Sequence, residues 1–150
     1  MAGNPKKKST GIVNAAIGAL AVVLAILIVW MMNLVAGIQG TARIINYAGL
    51  VRGKTQRIVK LEISGQPQDG MIADIDAFID GLRFGSDELS LVRLNDDAFQ
   101  RKMQELDDYF QALKQEIGRV RAVGSNNTDI IPISETFFGI CDDATGLAEA

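Results

Sequence analysis

Between Lys8 and Arg43 the chain carries no charged residue. Within that interval Gly11–Ile38 is an almost unbroken apolar run, with a core reading IVNAAIGALAVVLAILIVWMMNLVAGI, in which Asn14 and Asn33 are the only strongly polar members. A helix rises about 1.5 Å per residue, so roughly 20 apolar residues cross a bilayer. The run predicts a transmembrane helix over 11–39, long enough to span with some tilt. A cleaved signal peptide has an apolar core of about 7–15 residues; this run is about twice that, and the text after it continues as helix. No acidic residue stands early in the run, as a type IV pilin leader would have. Trp30, near the far end, fits an interfacial aromatic.

Cytoplasmic flanks of a span favour Lys and Arg. Lys6, Lys7 and Lys8 precede the run and only Arg43 follows it closely, so residues 1–10 should be a cytoplasmic basic tail. Everything from 40 to 150 should then be extracytoplasmic. All eighteen acidic residues and twelve of the fifteen basic ones lie beyond the span, which gives the outer part a net charge of −6. Such a surface argues against nucleic acid as a partner; the bilayer is the partner the sequence does imply.

The chain has no histidine, and Cys141 is its only cysteine. That removes His-dependent acid–base and triad chemistry, His-containing zinc sites, an internal disulfide and a CxxC pair. Asp107, Asp108, Asp142 and Asp143 supply carboxylates, but as solvated helix faces without metal-ligand or acid–base spacing. No cofactor, metal site or catalytic residue is assigned. Cys141 reads as a small buried residue.

Thr41–Ser64 contains no proline and no stop, so the spanning helix should run on beyond the membrane. Two stripes follow it at alternating spacings of four and three. Ile44, Ala48, Val51, Thr55 and Ile58 form one, mostly apolar, which should face its own bundle. Ile45, Gly49, Arg52, Gln56, Val59 and Ile63 form the other, apolar at its ends and small, cationic and polar in the middle. Gly65–Gly70, containing Pro67, reads as a turn. A shorter helix with Ile72, Ile75, Phe78 or Ile79, and Leu82 on one face ends at Phe84-Gly85-Ser86. Asp87–Leu94 fits either a helical turn or a loop. Over Asn95–Val123, Phe99, Met103, Leu106, Phe110, Leu113, Ile117 and Val120 keep an unbroken 4, 3 spacing, the mark of a packed seam. Asn95 or Asp96 can cap it. After the loop Gly124–Ile131 and Pro132, Ser134 can cap a last helix running to Ala150. The expected fold is all-α: an up-down-up-down four-helix bundle with a truncated last helix. The parent protein should be longer, with a second span beyond Ala150.

Ile45-Asn46-Tyr47-Ala48-Gly49-Leu50-Val51-Arg52-Gly53-Lys54-Thr55-Gln56-Arg57 resembles the INxAGxxRMxSQR signature that opens the periplasmic sensor bundle of nitrate/nitrite sensor histidine kinases. A similar signature opens the related domain of type IV pili methyl-accepting chemotaxis transducers. Ile45, Asn46, Ala48, Gly49, Arg52, Gln56 and Arg57 match; Gly53 stands where Met is usual, and Thr55 replaces Ser. The resemblance implies a membrane-bound signal-transduction receptor whose output module (kinase, chemotaxis or cyclic-nucleotide) lies outside this chain. It also implies a homodimer through the first helix, with a small anion such as nitrate or nitrite at the two-fold axis. The residue carried over as the ligand-binding arginine is Arg52, with Gly49 leaving room one turn earlier.

Elementary chemistry points the same way. Two glycines flanking an arginine each cost a helix about 1 kcal/mol relative to Ala, which suggests close helix approach or ligand access. A two-fold contact along the second stripe brings Arg52 to its own copy, and a small anion taking forked, charge-assisted hydrogen bonds would neutralise both. Asn46, Gln56 and Arg57 are candidates for orienting that site; Asn46 and Gln56 serve equally as interhelical hydrogen-bonders, and Arg57 and Lys60 as solvated rim charges. Alternatively Arg52 pairs with Glu105 or Asp108 of the third helix and holds no ligand. The chain would then be a membrane-anchored scaffold or protein-interaction domain.

Overall fold

The structure, a computed structural model, describes residues 5–149, with side chains described from residue 11 onward except those of Ala36 and Ile38. The three lysines of the basic tail therefore lie outside the described side chains. Four helices form: α1 (Pro5–Ile63), α2 (Asp69–Phe84), α3 (Asp97–Val123) and α4 (Ile130–Glu149), with a short 3₁₀ turn, Ser125–Asn127, before α4. The chain divides into two compact units, Met1–Gln39 and Gly40–Ala150.

In the first unit the apolar run is helical, and its large side chains, from Ile12 to Val35, are exposed on every side. Exposure all round is what a helix solvated by lipid requires. Length and composition together make this a helix able to cross a membrane.

The second unit is an up-down-up-down four-helix bundle. Its core is built on the first α1 stripe and the α3 seam. Ile44, Ala48, Val51, Thr55 and Ile58 of α1 are all buried, and so is every member of the α3 seam from Phe99 to Val120. Ile75, Ile79 and Leu82 bring in α2, while Ile72 and Phe78 are half-buried. From α4 come Phe137, Ile140, Cys141 and Ala144, with Phe137 packed on Phe110 at a centroid distance of 5.8 Å. Thr55 is the one polar member of the α1 stripe, and among the described residues its buried hydroxyl has no hydrogen-bond partner.

The connections follow from local chemistry. α2 ends at Gly85, whose φ of +87° suits glycine, and its N–H donates to the Gly81 carbonyl. The segment after it is a tight loop rather than a helical turn. Ser86 and Leu91 exchange backbone hydrogen bonds of 2.9 and 2.8 Å, and Ser90 turns the chain at φ +52°. Leu89 and Leu91 fold back onto Gly81, where an added Cβ would stand 3.0 and 3.1 Å from them. Asp96 caps α3 by accepting from the Phe99 N–H at 2.7 Å.

α4 begins earlier than the sequence suggested. Pro132 lies in its first turn, where a missing N–H costs nothing. Ser134 is therefore not a cap. It is buried inside the helix, and its hydroxyl donates to the Ile131 carbonyl at 2.8 Å. The helix runs for 20 residues, against 16 for α2.

Candidate functional site

The second stripe of α1 is left largely bare. Gly49, Arg52, Gln56 and Ile63 are exposed and Ile45 is half-buried; Val59 alone is buried. Beside it runs α4, presenting Ile131, Glu135, Phe138 and Asp142 at the same 4, 3, 4 spacing. Val59, Ile63, Ile131 and Phe138 line a shallow groove between the two helices, with Gln56 at its edge.

Arg52 stands at one end of this face. Its Nη1 lies 3.2 Å from Oδ1 of Asp142, with side chains 46% and 57% exposed. This corrects the alternative partners expected on α3. Glu105 pairs with Lys102 at 2.8 Å, and Asp108 accepts from Gln104 Nε2 at 2.9 Å. The reason is register: α4, not α3, lies on the arginine's side of α1. Asp142 was read only as a solvated carboxylate, and no local pattern marks it as a partner. Gly49 and Gly53 open the helix surface on either side of Arg52, for a Cβ at either would meet nothing within 4 Å.

The other sequence candidates gather less closely. Asn46, Gln56 and Arg57 are exposed, and among the described residues none of their side chains has a hydrogen bond or ion pair. Asn46 and Gln56 are therefore not interhelical hydrogen-bonders within this chain. Lys54, one turn from Leu50, is tied to α2 instead. It bonds Asp74 at 2.7 Å and lies 4.9 Å from the Phe78 ring centre.

Directly beneath Asp142 is Cys141. Burial pushes its thiol up to about 12, with the Asp142 charge adding to the rise and Arg52 opposing it. A protonated, buried thiol is a packing group, not a nucleophile. Among the described residues no three His, Cys, Asp or Glu side chains gather as a metal ion would need.

A second depression lies at the far end of the bundle, lined by Glu62, Gly65, Pro67, Arg121 and Gly124. Its polar groups already satisfy one another. Arg121 takes Glu62 through two N–H groups and Asp69 through a third, and the Gln68 N–H donates to Glu62 at 2.8 Å. Sequence periodicity carries no sign of this clamp.

No protein-family model matches the sequence, and a comparison with curated proteins finds no match. Among solved structures the chain is similar to the ligand-binding domain of the Pseudomonas aeruginosa nitrate receptor McpN. The TM-score is 0.62 at 17% sequence identity, and the match covers 71% of this chain and 94% of that one. The likeness shows a shared four-helix fold.

Proposed function

We propose that residues 40–150 are the extracytoplasmic ligand-sensing module of a membrane-bound bacterial receptor, with the N-terminus inside. A small anion would bind between two copies of α1, held by Arg52 from each. The observation that carries this reading is the setting of Arg52. It is a half-exposed arginine, bracketed by two glycines, on an open face of a bundle with a receptor ligand-binding fold. Such a guanidinium is geometrically matched to forked hydrogen bonds with a planar oxyanion. Nitrate and nitrite are the first candidates, because the similar solved domain belongs to a nitrate receptor and the α1 signature resembles that of nitrate sensors. Drawing two α1 helices together around one anion supplies a motion that an output module beyond this chain can read.

Titration calorimetry of the full chain in lipid nanodiscs tests the reading. Wild type should bind sodium nitrate or nitrite, and Arg52→Ala should not. Equal binding, or none in either across oxyanions, would remove Arg52 from the site.

The groove favours a second reading, a scaffold that docks another protein along α1 and α4. Ile131 is 54% exposed there, and surface apolar patches rimmed by polar residues mark interaction sites. A scaffold should keep its partner after Arg52→Ala, whereas a sensor should lose its response.

A further inference from the structure

Arg52 is the least satisfied of the arginines that bridge helices in the bundle. Arg121 commits three N–H groups to Glu62 and Asp69, and Arg83 bonds both Asp107 and Gln104. Arg52 has one carboxylate oxygen at 3.2 Å and no hydrogen bond among the described residues. Asp142 has no other ion-pair partner among them. Both side chains are about half open to water, and no side chain fills the space over Gly49 or Gly53. A guanidinium held this loosely, in a surface pair of small net stability, exchanges partners readily.

We propose that Asp142 is an internal stand-in for the anion: its carboxylate occupies Arg52 in the empty site, and an arriving oxyanion displaces it. This rests on Arg52 being the anion-binding residue. The chemistry is shared, since a carboxylate and a planar oxyanion each present an O–X–O edge to a guanidinium fork. Two such anions crowded on the same exposed fork repel each other, so binding one favours release of the other. Two consequences follow. Asp142 sets the concentration at which the site fills, because each ligand must compete with it. Since Asp142 belongs to α4, filling the site also severs an ion pair between α1 and α4, so occupancy changes how α1 is held.

The test is calorimetry on the full chain in nanodiscs, with sodium nitrate and sodium nitrite as probes at constant ionic strength. Asp142→Asn should bind about two- to five-fold more tightly than wild type, the scale of an exposed ion pair lost as a competitor. Asp143→Asn removes the same charge one residue away, from a carboxylate that reaches Lys102 rather than Arg52, and should leave affinity unchanged. An equal gain in both variants would mean general charge repulsion and overturn the proposal. Unchanged or weaker binding by Asp142→Asn beside a binding wild type would overturn it too, while leaving Arg52 as the anion site. Binding by none of the three would instead overturn the assignment of Arg52, and this proposal with it.

Discussion

Arg121 of α3 grips the carboxylate of Glu62 in the last turn of α1 from two sides. Its Nε donates to Oε2 at 2.9 Å and its Nη2 to Oε1 at 2.6 Å, and the Glu62 side chain is only 1% exposed. The hydrogen bonds to Glu62, then those to Asp69, raise the pKa of Arg121 further and keep it charged. Removing Arg121 strands the buried Glu62 charge; because Arg121 itself is partly exposed, the cost falls below that of a fully buried pair, at about 2–3 kcal/mol. Arg121→Ala should therefore lower bundle stability by about that much in urea denaturation, with a drop in midpoint. The double variant Glu62→Met/Arg121→Met should recover most of it. A single variant as stable as wild type would show that the clamp is not closed in solution.

Gly49 and Gly53 make opposite demands on the single chain and on the proposed pair. Within one chain a methyl at either meets nothing within 4 Å. Gly49→Ala and Gly53→Ala should each stabilise α1 by about 1 kcal/mol through helix propensity. If two α1 helices approach along this face, the same methyls should weaken self-association. Thermal unfolding and sedimentation of the full chain in detergent should move in opposite directions. Stabilisation with unchanged association would place the dimer contact elsewhere.

The buried thiol gives a pH dependence with a definite sign. Cys141 titrates near 12 in the folded protein against 9.0 ordinarily. The folded state thus holds its proton more tightly than the unfolded chain. The stability this contributes is complete below about pH 9 and is lost as pH rises toward 12. Wild type should lose more stability than Cys141→Ala between pH 8 and pH 10.5, read as the difference between their urea midpoints. Parallel pH profiles would contradict the burial. A thiol reagent at pH 8 should label Cys141 only after unfolding.

The α3 seam predicts a sharp contrast along one helix. Phe110 is fully buried against Phe137, so Phe110→Ala should cost about 3–5 kcal/mol through lost contacts and a cavity. Gln115 lies on the exposed side of the same helix, and Gln115→Ala should change stability by less than about 0.5 kcal/mol. Similar costs at both positions would mean that the seam does not face the core.

What was legible in the sequence is what repeats along one element. The α3 seam and the buried stripe of α1 appear at the spacing read from the letters, because helical period is a local property. Pairings between helices were not legible. From the letters Arg52 is matched with Glu105 or Asp108, and only the placement of α4 beside α1 brings in Asp142 instead. The same holds for Glu62 and Arg121, fifty-nine residues apart. Pro132 looked like a boundary, whereas in a first turn proline is no obstacle, so α4 starts at Ile130. Asp87–Leu94 stayed open because its loop is held by two backbone bonds between Ser86 and Leu91, which leave no side-chain pattern. At the candidate site, the small and polar character of the stripe around Gly49 and Arg52 is plain in the letters, whereas what covers it is not. The exposure of Asn46 and Gln56 matches neither interhelical hydrogen bonding nor any pattern in the letters, because it too depends on where the neighbouring helices lie.

Among the described residues three ion pairs join α1 to the other helices, one to each: Lys54 to Asp74, Arg52 to Asp142 and Glu62 to Arg121. Only the third has a buried member, the Glu62 carboxylate. Near 1 M salt, where charges are screened beyond about 3 Å, the first two slacken and the third holds. The stretch 40–63 of α1 is then pinned chiefly at its own last turn, as a lever is at its fulcrum. Any displacement at Arg52 is magnified toward Gly40, the end from which the chain continues into its apolar run.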